Sequence, residues 1–168
     1  MRRFVPLIRA GGRILDLAAG GGRHTSLFCA AGFAVTAVDR DVSALAGLDC
    51  EIRAIDLELG APWPLGGDWD GIIVTNYLHR PLLPAIAGAL AAGGVVLYET
   101  FAVGNERLGR PKNLDFLLRP GELLEAFAGL TVAAFEQGEV RHPRPAVVQR
   151  IAAVNGPVGM LPIGDRGV

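Results

Sequence analysis

The chain lacks any apolar run approaching the roughly 20 residues a helix needs to cross a bilayer, so no membrane-spanning segment is expected. It also lacks an excess of either charge. Lys plus Arg number 16 and Asp plus Glu 17 in 168 residues, a formal net charge of −1. That balance gives no global attraction to nucleic acid or to an anionic membrane. Cysteine is scarce: Cys29 and Cys50 stand without metal-ligand spacing and read as two buried, reduced thiols, so no metal site is expected. No internal repeat or low-complexity tract is visible, because the 23 glycines and 11 prolines are scattered between short apolar runs. The opening stretch from Met1 to Ala10 is too short, and too interrupted by Pro6 and Arg9, for a secretory leader. A cytoplasmic protein is expected.

What the chain has in quantity is apolar sequence, 51% of its residues, cut into strand-length and helix-length pieces. The first strand is expected over Ile14 to Leu17, followed by a helix from Arg23 to Ala31 with Gly32 as its C-cap. A second strand, Phe33 to Val38, ends in Asp39, and a short helix is expected from Asp41 to Leu48. A third strand, Glu51 to Ile55, ends at Asp56, and a fourth, Gly71 to Thr75, at Asn76. The spacing of Leu82, Leu83, Ile86 and Leu90 predicts a helix over Pro81 to Ala92, stopped by Gly93 and Gly94. Val95 to Tyr98 follows as a fifth strand, then Glu99, then a long polar loop reaching Arg119 with little in it to pack. After a helix over Pro120 to Ala128, the runs Leu130 to Val140 and Ala146 to Val154 are joined too briefly for a crossover and should pair antiparallel.

Strands alternating with helices and closed by a hairpin define an α/β fold. The expectation is a Rossmann-like, doubly wound, mostly parallel seven-stranded sheet with an antiparallel C-terminal hairpin. One domain should span 1–154, with 155–168 an extended tail. Ligands of such sheets bind beyond the carboxyl ends of the strands, where Asp16, Asp39, Asp56, Asn76 and Glu99 all fall. The glycine turn at Gly20, Gly21 and Gly22 lets a ligand approach the backbone, and the helix start behind it favours a carboxylate or phosphate. An acid at Asp39 can accept from two vicinal hydroxyls. A dinucleotide site competes on this spacing, but its third glycine would fall at Thr25.

The pattern Asp16-x-Ala18-x-Gly20-x-Gly22, with Asp39 after the next strand, resembles the first motif of class I S-adenosylmethionine-dependent methyltransferases, with alanine at the first glycine position. The stretch from Glu99 through Gly104, Gly109 and Phe116 to Leu123 is similar to small bacterial members of the tellurite-resistance type. The resemblance implies S-adenosyl-L-methionine as cofactor. Asp16 would lie near its amino group, Asp39 at the ribose, and Asp56 with Leu57 at the adenine. Ala18, Ala19, Gly20, Gly22, Arg23, Arg40 and Asn76 complete the implied contact set.

The catalytic candidates are His79 as a proton acceptor, Glu99 as a substrate-orienting or proton-accepting group, and Tyr77 as a pocket-shaping residue. Glu99 has no evident cationic neighbour in the sequence. Asn76 to His79 lacks both prolines of the amino-methylating Asn-Pro-Pro-Tyr motif, so DNA or amine methylation is not inferred. Arg107, Arg110, Lys112 and Arg119 in the long loop, and Arg141, His142, Arg144 and Arg150 around the hairpin, are candidates for an anionic substrate. With no aromatic platform interleaved among them, nucleic acid is an unlikely partner and a small-molecule acceptor is expected. The alternative is a cofactor-binding module that is inactive alone or completed by a partner. The short segment before the first strand leaves room for a homo-oligomer to cover the pocket.

Overall fold

The computed structural model describes residues 2–60 and 62–158. Its sheet is built from β1 (Arg13–Leu17), β2 (Ala34–Asp39), β3 (Glu51–Ala54), β4 (Trp69–Thr75), β5 (Leu90–Phe101), β6 (Thr131–Val140) and β7 (Ala146–Val154), in the order β3-β2-β1-β4-β5-β7-β6. The first five strands run parallel, whereas β7 enters antiparallel between β5 and β6. The doubly wound sheet with its closing hairpin is therefore as the sequence pattern implies.

Alternation along each strand sends side chains to two separate cores. Leu15, Leu17, Ile72, Val74, Val96 and Tyr98 face α2 (Leu83–Gly88) and α3 (Glu122–Ala126) in one cluster, which takes in Ile86, Leu123 and Phe127. Ile14, Val35, Ile73, Leu97 and Ala152 face α1 (Arg23–Ala30), whose Phe28 is fully buried among them. Burial on both faces explains why the central strands read as near-continuous apolar runs. Phe4 and Ile8, in a 3₁₀ segment over Arg2–Leu7 and just after it, pack on the α1 side. The free Cys29 and Cys50 are half-buried against the same cluster, less enclosed than expected.

The helix expected over 81–92 is corrected. A 3₁₀ turn at Arg80–Leu82 leads into α2, which stops at Gly88, and Leu90 to Ala92 already belong to β5. Gly94 is the reason. A Cβ there would sit 2.5 Å from the Trp69 carbonyl oxygen, so the two glycines let β5 bulge past β4 instead of ending a helix. The short helix expected after Asp41 shrinks to a 3₁₀ turn at Ser43–Leu45. The long loop is also more ordered by contacts than its composition suggests. Ala102 bridges Leu118, and Asn105, Leu117 and Leu118 are buried. Arg80 anchors the loop's far end by donating to the Asp115 and Leu117 carbonyls and to buried Glu122, at 2.5, 2.9 and 2.6 Å. Beyond β7, the Asn155 amide donates to the Leu90 and Ala91 carbonyls. The rest of the expected tail, 159–168, lies outside the described residues.

Candidate active site

Three cavities at the carboxyl ends of the strands meet at Asn76. The largest, about 650 Å³, lies between the glycine turn and the β6–β7 hairpin and is lined by Asp16, Ala18, Ala19, Gly20, Arg23, Asn76 and Glu99 of the expected set. The second, about 440 Å³, holds Asp39, Arg40, Asp56, Leu57 and Tyr77 and shares Ala18 with the first. The third, about 220 Å³, opens between Tyr77, Phe101, Pro111 and Phe116. His79 lines none of the three, and neither do Arg107, Arg110, Lys112 and Arg119. His142, Arg144 and Arg150 line the first.

The turn is shaped by backbone conformation. Gly22, at φ 71°, begins α1 where a Cβ would come within 2.7 Å of Leu48 Cδ1. Nothing approaches within 4 Å of a Cβ built on Gly20 or Gly21, so the turn's outer surface is open to the cavity. Ala18 also takes a left-handed conformation, φ 53°, and so carries a strain that glycine would not. Asn76 does the same at φ 55°, a conformation asparagine tolerates better, and its N–H donates to the Glu99 carbonyl at 2.9 Å.

Asp16 shares its face of β1 with Ile14 and so points toward α1, where the Thr25 hydroxyl donates to it at 2.6 Å. It is 2% exposed, and burial pushes its carboxyl up to about 6 against the opposing pull of Thr25. Such a group gains most from a cation placed beside it. Thr25 stands where a dinucleotide turn would need its third glycine, so its buried side chain counts against that fold variant. One Asp39 oxygen accepts from the Gly20 N–H at 2.8 Å and the other from the Asp41 N–H at 3.0 Å, which fixes the carboxylate while leaving a lone pair on each oxygen. Asp56 Oδ1 accepts from the Glu58 N–H at 2.9 Å. The buried Tyr77 hydroxyl has no hydrogen-bond partner among the described residues, and desolvation followed by the charges of Glu58 and Asp56 raises its pKa above the ordinary phenol range. Those shifts suit a hydrogen-bond donor and work against a base.

The sequence view of Glu99 as a carboxylate without a cation is corrected. Arg150 Nε lies 2.5 Å from Glu99 Oε2, off the axis of a hydrogen bond, and Arg150 Nη1 reaches Glu136 at 3.3 Å. The pairing is set by register: Thr75 stands opposite Glu99, Glu99 opposite Arg150, and Arg150 opposite Glu136, one polar row across four strands. His24 joins this row through a 3.1 Å hydrogen bond between its Nδ1 and the Thr75 hydroxyl. Burial, and then the charge of Arg23, lower its pKa to about 4, so it is neutral at physiological pH. His24, Thr25 and Thr75, and the pairing of Arg150 with Glu99, were missed in sequence because each acquires its role from strands or helices distant in the chain. The only local signal was the position of His24 and Thr25 in the first turn of α1.

No protein-family model and no curated protein sequence matches the chain. Solved structures do. TehB from Haemophilus influenzae aligns at 18% identity and a TM-score of 0.70 over 86% of this chain, which spans only 58% of that protein's length. An S-adenosylmethionine-dependent methyltransferase from Mesorhizobium loti aligns at 19% identity and 0.69, over 91% of this chain and 94% of its own. The 1,6-didemethyltoxoflavin-N1-methyltransferase of Burkholderia thailandensis, solved with 1,6-didemethyltoxoflavin and S-adenosylhomocysteine, aligns at 23% and 0.60, over 87% and 72%. The chain has the fold of class I S-adenosylmethionine-dependent methyltransferases. Among that fold's members it is similar to TehB and TehB-like proteins.

Proposed function

We propose that the chain is an S-adenosylmethionine-dependent methyltransferase acting on a small-molecule acceptor. The observation that carries this reading is the pair of cavities that share Ala18 and Asn76, one holding buried Asp16 and the other holding the backbone-fixed Asp39. The residues present fit the cofactor. A buried carboxylate whose described side-chain partner is a single hydroxyl suits an ammonium, and the open turn with the exposed N–H groups of α1 suits a carboxylate. Asp39 suits vicinal hydroxyls, and Asp56 with Leu57 suits an amino-purine edge and face. Arg23 and Arg40 complete the polar rims of the two arms.

When bound, the cofactor supplies an electrophilic methyl group. The chain's own contribution is alignment and exclusion of water, which can account for a large part of such a barrier. Asn76, at the junction of the arms, belongs where the two reactants meet. Glu99 orients the acceptor from the larger arm, Tyr77 shapes the neighbouring wall, and His79, which lines none of the three cavities, is the candidate proton acceptor. The same reading makes the protein a cytoplasmic bacterial enzyme, with homo-oligomerisation as a means of covering the cleft. Among the described residues, no helix is long and apolar enough to cross a membrane and no cluster of metal-ligating side chains occurs.

Calorimetric titration with S-adenosylmethionine, S-adenosylhomocysteine and NAD in parallel tests the proposal. Micromolar binding of the first two and none of NAD is expected. Binding of NAD alone overturns the reading, and cofactor binding without turnover over a broad acceptor panel favours the inactive binding module.

A further inference from the structure

The larger cavity has more chemistry than the cofactor's amino-acid end requires. It is lined also by the row Thr75, Glu99 and Arg150, by Phe101 and Val148, and by His24 of α1. His24 Nδ1 is held by Thr75. The Thr75 hydroxyl has no other hydrogen-bond partner among the described residues, and with this hydroxyl donating to Nδ1 the neutral ring carries its hydrogen on Nε2. Nε2 itself has no hydrogen-bond partner among the described residues and is not fully enclosed, so in that tautomer it is an accessible N–H donor. In the same cavity, Glu99 keeps one oxygen outside its contact with Arg150. Charge along the row itself is already answered, since Arg150 stands between Glu99 and Glu136, so the row offers hydrogen-bonding groups and no free cation, although Arg23 and Arg144 also line the cavity.

We infer that this row is the acceptor platform and that it takes a neutral, planar lactam or amide, whose carbonyl oxygen accepts from His24 Nε2–H and whose N–H donates to Glu99. Thr75 and Glu99 are directly paired across parallel strands, so His24, which bonds Thr75, and Glu99 lie toward the same face of the sheet. Phe101 and Val148 supply apolar surface for the flat faces of the ring. His24 is thus a substrate-contacting residue, and Thr75 a positioning residue that acts through it by fixing the tautomer. This inference rests on the methyltransferase reading only for the identity of the neighbouring ligand.

The test uses the full chain, with and without S-adenosylhomocysteine, titrated with 2-pyridone, 1-methyl-2-pyridone and benzoate while the His24 ring nitrogens are followed by ¹⁵N NMR. The expected result is millimolar binding of 2-pyridone that shifts the His24 Nε2 resonance, with 1-methyl-2-pyridone and benzoate each weaker by about fivefold or more. His24→Phe should weaken 2-pyridone by a similar factor. Thr75→Val should keep the core methyl spectrum but let the His24 ring sample both tautomers, a signature that a purely structural role would not produce. Equal binding of the two pyridones, preference for benzoate, or no movement of the His24 resonance overturns the inference. If the glycine-turn amides do not respond to S-adenosylhomocysteine, the methyltransferase reading fails, and the pyridone titration of the free chain still decides the platform.

Discussion

Asp16 carries a cost in the free protein that a ligand can remove. Its pKa is raised from 3.8 to about 6, so the native state holds this proton more tightly than the unfolded chain does. The sign follows: the contribution of Asp16 to stability is most favourable below the unfolded value and declines as pH rises from about 4 to about 6. An ammonium beside it favours the ionised form, so S-adenosylhomocysteine affinity should rise as pH increases toward about 7, steeply below 6 and little above. Calorimetry across that range checks this, and Asp16→Asn should both weaken binding and flatten the profile. Ala18 offers a second residue-level test. Its left-handed backbone costs about 1–2 kcal/mol, whereas glycine loses about 0.5–1 kcal/mol in chain entropy. Ala18→Gly should therefore stabilise the protein by about 0.5–1 kcal/mol, read as a higher urea midpoint at unchanged slope. The placing of Asp16, Asp39, Asp56 and Glu99 at or near the carboxyl ends of their strands was legible in sequence, because each follows an apolar run. The strain at Ala18 was not, because an alanine replacing a glycine looks like a small change until its φ is known.

The element that most constrains the cleft is the segment ending the long loop, and Arg80 is its anchor. Glu122 is 4% exposed and accepts from Arg80 Nε, Arg80 Nη2 and the Arg119 N–H, so removing the guanidinium leaves a carboxylate that is nearly enclosed. Arg80 is itself partly solvated, which moderates the loss. Arg80→Ala should cost about 2 kcal/mol in chemical denaturation and raise amide exchange over residues 114–118 first. Unchanged exchange there would detach Phe116 and the smallest cavity from this anchor. Both this loop and the 81–92 region show why some elements escaped the sequence. Apolar residues at helical spacing continued through Leu90, but the tertiary demand of pairing Leu90 with Trp69 overrode the periodicity, and the glycines served a bulge. The loop's buried Leu117 and Leu118 lacked any local period; Leu118 is held by backbone hydrogen bonds with Phe101 and Val103, and the Leu117 carbonyl by Arg80.

At the scale of the whole molecule, the strand order gathers the ends of β1, β2, β4, β5 and β7 on one edge, and the cofactor reading requires that edge to behave as one binding unit. The doubly wound, mostly parallel architecture was legible because a parallel sheet with right-handed crossovers admits few arrangements once the strands and the closing hairpin are recognised. The polar row across it was not, since it needs the register of β4, β5, β7 and β6 to the residue. If both arms grip one ligand, that ligand stabilises the native state by mass action, about 2.7 kcal/mol at a hundredfold excess over Kd. For a chain of this length, such a gain should raise Tm by about 5–10 °C. S-adenosylhomocysteine should give that shift and NAD none. Asp39→Ala, which removes acceptors for the ribose and unpins the Gly20 N–H, should require a ligand concentration at least tenfold higher for the same rise. Adenosine alone and methionine alone should each give a small fraction of the shift, because each fills one arm. A full shift with either fragment would mean that the two cavities do not act together, and the cofactor would have to be placed within one of them.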